Sequence, residues 1–135
     1  AARRQQQRQF VFAAGSFAGG IRAYWHWAIT PAGRAYLRLL YQVYAITLQD
    51  QERFGGFFMR ESLDWLAFCT DGLRALGVAD DQELATLATQ LFAAVRGLEL
   101  DLLATGDTDR LARALDAAIA DITTRARRLA TQHQA

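Results

Sequence analysis

His26 stands between Trp25 and Trp27 in the stretch AYWHWAITPAGR, Ala23 to Arg34. A histidine flanked by indoles suits a ligand box or a general base. Winding the stretch into a helix takes the box apart. Successive side chains point roughly 100° apart, so neither tryptophan covers His26. Its own stripe is Gly15, Gly19 and Arg22, whereas Trp25 aligns with Ala14, Ala18 and Ile21. The spacing predicts a structural or solvated histidine.

Other chemistry-bearing residues are as sparse. His133 lies near the chain end, and no CxxC, HxxxH or Glu-x-x-His spacing occurs, so no metal site is expected. Cys69 is the single cysteine, which rules out an internal disulfide and suits a reducing compartment. It has no local basic partner to activate its thiol and reads as a small core residue. Glu61 and Asp64 share one helical face, as do Asp107 and Arg110 near a turn. Such acids are usually solvated, and no acid–base pair stands out. GSFAGG, Gly15 to Gly20, lacks the strand and the GK[ST] ending of a phosphate loop and reads as a close-packing surface. No catalytic residue and no cofactor is expected.

The elements that carry these residues follow a helical period throughout, with one proline and no strong strand signal. Five helices are predicted. The first spans about Gln5 to Ile29, with Phe10, Ala14, Phe17, Ile21, Tyr24 and Ala28 on one face. Thr30 caps the second, with Pro31 in its first turn, and it runs to about Gln49. Arg34, Arg38, Gln42 and Gln49 form its one narrow polar stripe, so it is expected between other helices. FGGFF, Phe54 to Phe58, breaks the pattern and offers hinges at Gly55 and Gly56. A third helix covers about Phe58 to Leu76 and stops at Gly77. Asp80 to Glu83 forms a capping box for the fourth, Asp81 to about Ala104. Gly106 ends it, and Asp107 caps the fifth, Thr108 to about Leu129.

At 135 residues the chain is the size of one domain with a real core. Hydrophobic residues reach 52% against 21% charged, which excludes a disordered chain. A net charge of +1 is too balanced for general attraction to nucleic acid or an anionic membrane. Arginines gather at both ends, at Arg3, Arg4 and Arg8 and at Arg125, Arg127 and Arg128, in keeping with solvated helix ends. Basic RRQQQR before apolar FVFAAGSFAGGI has the charge order of a signal peptide. No clear small-x-small cleavage site follows, and Arg22 ends the apolar run too early to span a bilayer.

Fourteen of the fifteen aromatics precede Leu73; the other is Phe92. The first three helices are therefore bulky, and the last two are mainly Leu, Ala and Ile. Phe17, Tyr24, Tyr41, Tyr44, Trp65, Phe68 and Phe92 read either as plain core or as the wall of an apolar pocket edged by phenol and indole donors.

Further along, ELATLATQLFAAVRGLELDLLATGDTDRLARALDAAIADI, Glu83 to Ile122, resembles the C-terminal part of TetR-family (tetracycline-repressor-type) transcriptional regulators. ITPAGRAYLRLLYQVYAITLQDQERF, Ile29 to Phe54, and SLDWLAFCTDGLRALGV, Ser62 to Val78, resemble the preceding helices of that family's effector-binding domain. Nothing here looks like the family's N-terminal helix-turn-helix DNA reader, and AARRQQQRQF is too short to hold one. The resemblance therefore implies the ligand-binding and dimerisation domain alone, over residues 1–135, of a chain that starts mid-protein.

The resemblance implies a bacterial cytoplasmic homodimer, not an enzyme. It would be controlled by a small hydrophobic or aromatic effector and reach DNA only through a domain absent from this chain, with no membrane partner. The expected fold is an all-α antiparallel bundle of about five helices whose last two build a dimeric four-helix bundle. A 135-residue monomer is not expected to hide both Leu/Ile faces. Leu91, Val95, Leu98, Leu102, Leu111, Leu115, Ile119 and Ile122 are therefore expected at the subunit seam. The aromatic residues above are expected to line the effector pocket. The alternative is a free-standing helical dimer, either an enzyme on a hydrophobic substrate or a scaffold.

Overall fold

The computed structural model of the protein describes residues 16–134. These are all-α and form five helices: α1 Phe17–Ala28, α2 Pro31–Gln49, α3 Gln51–Ala75, α4 Asp81–Thr105 and α5 Thr108–Gln134. The part of the first predicted helix before Ser16 lies outside the described residues. No strand occurs among them.

Local chemistry sets the helix ends. Thr30 Oγ1 accepts from the Gly33 amide at 3.1 Å, with Pro31 following it in the first turn. Asp80 accepts from the Glu83 amide at 2.9 Å, and Asp107 from the Arg110 amide at 3.2 Å. Gly106 closes α4 at φ 66° and Gly77 follows α3 at φ 104°, backbone values that favour glycine. Arg110 then clamps the α4–α5 corner, donating to both carboxylate oxygens of Asp101 at 3.0 and 2.6 Å.

The corner between α1 and α2 is tighter still. Gly33 is buried against the end of α1, and a Cβ there would fall 2.7 Å from the Ala28 Cα and against the Trp27 carbonyl. This close approach fixes the turn in AYWHWAITPAGR.

Two expectations need correction. The FGGFF segment does not interrupt the chain: α3 starts at Gln51 and passes through Gly55 and Gly56 as helix. Asp50 caps this earlier start, accepting from the Arg53 amide at 3.3 Å. Two glycines cost roughly 0.5–1 kcal/mol each against alanine, a sum that packing and the cap can offset.

The second correction concerns the supposed seam. Leu91, Val95, Leu102, Leu111, Leu115, Ile119 and Ile122 are all buried within the single chain, and Leu98 packs against the same core. One chain does hide both faces. The reason is that α4 is the central helix, packed on α5 at one side and on α2 and α3 at the other. Among the exposed residues of α4, Thr86, Thr89, Ala93, Gly97, Leu100 and Ala104 share one face that carries no charge. Leu100 is 50% exposed, and a Cβ on Gly97 would meet nothing within 4 Å.

Candidate functional site

The aromatic residues of α1, α2 and α3 converge on the side of α4 that carries Phe92, Arg96 and Glu99. These three are spaced four and three apart, so they share one helical face. Between them and the other helices lies a cleft of about 20 Å³, room for little more than a water molecule. Tyr24, Tyr41, Tyr44, Trp65 and Phe92, five of the residues expected at a pocket, line it. Phe17 and Phe68 do not. Their rings pack on each other at 5.8 Å, with Phe17 lying on Gly72.

The lining differs in character from the apolar wall expected. Tyr36, Glu61, Arg96 and Glu99 join it. Glu99 is 5% exposed, and its Oε2 accepts from the Tyr24 hydroxyl at 3.1 Å. Burial pushes its carboxyl up to about 8, against a smaller downward pull from Tyr24 and Arg96. Glu99 is thus mostly protonated at neutral pH. Burial and the neighbouring carboxyl together push Tyr24 well above the usual phenol range. Tyr41 is also raised, first by burial and then by Glu99. Its hydroxyl donates to the Arg96 carbonyl at 3.4 Å.

Arg96 occupies the aromatic part of the cleft. Its guanidinium carbon stands 4.2 Å from the Phe92 ring centroid and 5.0 Å from that of Tyr44. Cation–π attraction favours this arrangement. Its nitrogens donate to the Tyr44 hydroxyl at 3.2 Å and to Ser62 Oγ at 2.8 Å. The Trp65 ring lies 4.9 Å from Tyr24, 5.9 Å from Phe68 and 6.3 Å from Phe92, so α3 joins the cleft to the core. On the far side the Tyr36 hydroxyl reaches Glu61 Oε1 at 3.5 Å.

The WHW stretch comes apart as the helical spacing predicts. Trp25 is buried, Trp27 packs beside Tyr24 and Tyr36, and His26 is exposed. Trp25 Nε1 has no hydrogen-bond partner among the described residues. Cys69 is buried, and burial pushes its thiol up to about 12, which keeps it unreactive. Among the described residues no cluster of histidine, cysteine, aspartate or glutamate could hold a metal ion. No described helix is long and apolar enough to cross a membrane.

Sequence reasoning missed Glu99 and Arg96. Glu99 carries a signal of its own. It falls between Val95 and Leu102 at core spacing, a charge on an apolar stripe. Arg96 carries none, because an arginine beside such a stripe is ordinary.

The fold and cleft define an all-α bundle with an internal tyrosine-lined site. No family model, curated protein or solved structure matches this chain.

Proposed function

We propose that the protein is a small-molecule sensor: the effector-binding half of a TetR-type regulator, working as a homodimer in a bacterial cytoplasm. The observation that carries the binding reading is the cleft. A buried carboxyl, four phenols, an indole and a guanidinium converge where four helices meet. Polar groups gathered on an aromatic wall are the usual make-up of a ligand site. The regulator setting rests on the resemblance of Glu83 to Ile122 and on α4, which bears both cleft residues and an uncharged outer face. Ligand in the cleft would bias α4, and a second copy seated on that face would receive the bias. The ligand must prefer one arrangement of α4 for any such shift.

The cleft as it stands is far below the volume of a drug-sized ligand, so occupation requires side chains to move. Thermal unfolding in the presence of small aromatic compounds tests the reading. A ligand at roughly one hundred times its Kd should add about 2.7 kcal/mol of stability. Absence of any thermal response across such a panel counts against a sensor.

One observation favours a second reading, an enzyme on a hydrophobic substrate. A carboxyl holding its proton near neutral pH beside a hydroxyl is the setting of a general acid. Chemical change in a bound compound after incubation with the protein would favour this over sensing.

A further inference from the structure

The way Arg96 is held points to the class of molecule the cleft takes. Its guanidinium lies over two aromatic faces and donates to two neutral hydroxyls, those of Tyr44 and Ser62. The same cleft carries the carboxyls of Glu61 and Glu99. Ring faces are the negative ends of the aromatic quadrupole, and they attract cations. An anion entering here would meet those ring faces and the Glu61 carboxyl, and would hold Glu99 in its protonated form. A cation is drawn to the faces, and to both carboxyls once Glu99 ionises.

We propose that the cleft binds a planar organic cation of the guanidine or amidine class, which takes the place now filled by Arg96. The inference rests on the sensor reading and narrows its ligand. Arg96 is a built-in occupant. It fills the aromatic slot while the slot is empty of ligand and swings outward when one enters. Its half-buried position on α4 leaves the flexible arm that path, and the slot it vacates is already shaped to a planar, five-donor group.

Proton linkage follows from the same geometry. The groups facing Glu99 are Tyr24 from α1, Tyr41 from α2, Glu61 from α3 and Arg96 on α4 itself. Arg96 swings only to the mouth of the cleft, so the bound cation adds a second positive charge near Glu99 and favours the ionised carboxyl. Glu99, mostly protonated at pH 7, then releases a proton on binding. Affinity should rise with pH until Glu99 is ionised in the free protein.

Benzamidine, benzoate and benzyl alcohol, titrated calorimetrically into the protein at pH 7 in buffers of different ionisation enthalpy, test this. Expected is binding of benzamidine at one site with proton release, and no heat from benzoate. Glu99→Gln should abolish the proton release and weaken benzamidine at least tenfold. Arg96→Ala should tighten it severalfold by removing the occupant. Buffer dependence in the unaltered protein decides the matter even where a variant fails to fold. Binding of benzoate or benzyl alcohol without benzamidine overturns the cation class and leaves the sensor reading standing. Benzamidine binding with no proton release, or undiminished in folded Glu99→Gln, also overturns it. Silence from all three compounds, in protein that melts cooperatively, removes both.

Discussion

The Tyr24 hydroxyl donates to Glu99 Oε2 across 3.1 Å, tying α1 to α4 through the interior of the bundle. The bond partners a buried carboxyl that would otherwise be costly to keep there. Tyr24→Phe should therefore destabilise by about 1–2 kcal/mol, because it leaves an acceptor buried without its donor. The same change should raise the Glu99 carboxyl further, since the bond from Tyr24 pulls it down. Carbon-detected titration of the glutamates checks the direction.

Stability should fall as pH rises through the neutral range. Folded Glu99 holds its proton up to about 8, whereas an unfolded glutamate loses it near the ordinary value of 4.5. Between those values the folded chain binds more protons than the unfolded one. The contribution of Glu99 is complete below the lower value and is lost on approaching the upper one, by about 1.4 kcal/mol per pH unit at most. Thermal unfolding at successive pH values should show this decline, and Glu99→Gln should flatten it.

Dimerisation, if α4 mediates it, uses the uncharged outer face rather than the apolar stripe. Gly97→Arg should convert a dimer to a monomer in light scattering without lowering the stability of the isolated chain, because replacing an exposed helical glycine gains roughly 0.5–1 kcal/mol. Leu115→Glu should instead unfold the chain, because Leu115 is buried within it. A Gly97→Arg protein that remains dimeric excludes this face.

The α1–α2 corner should not tolerate a methyl group. Gly33→Ala would press a Cβ into the Trp27–Ala28 backbone, and the helices must part to admit it. A loss on the order of 1–3 kcal/mol is expected from overpacking. Gly97→Ala, open on the surface, should stabilise by roughly 0.5–1 kcal/mol. Urea unfolding of the two variants compares the signs directly.

Helix ends were the most legible feature, because a cap is written in adjacent residues. Thr30–Pro31, Asp80–Glu83 and Gly106–Asp107 each mark a boundary that the structure shows. The start of α3 was not legible, since Gly55–Gly56 signals a break locally and the packing that overrides it is remote in sequence. The partners of α4 were equally hidden. Leu91, Val95 and Leu102 announce a buried face and say nothing of whether the same chain or a second copy covers it. Five cleft residues could be picked as aromatics, yet Arg96 and Glu99 gain their meaning only when α1 and α2 bring Tyr24 and Tyr44 beside them.

The glycine pair inside α3 divides that helix into two parts of unequal tenacity. Gly72 and Cys69 lie where α3 is locked into the core, whereas Gly56 has open space where its Cβ would be, and its neighbours Phe54 and Met59 are exposed. Backbone amides from Arg53 to Met59 should therefore exchange with deuterium by local fraying, well before those from Leu66 to Leu73. Glu61 and Ser62 sit at the boundary between these two regimes. One wall of the cleft can thus loosen without the bundle opening, and its protection factors would record how often it does.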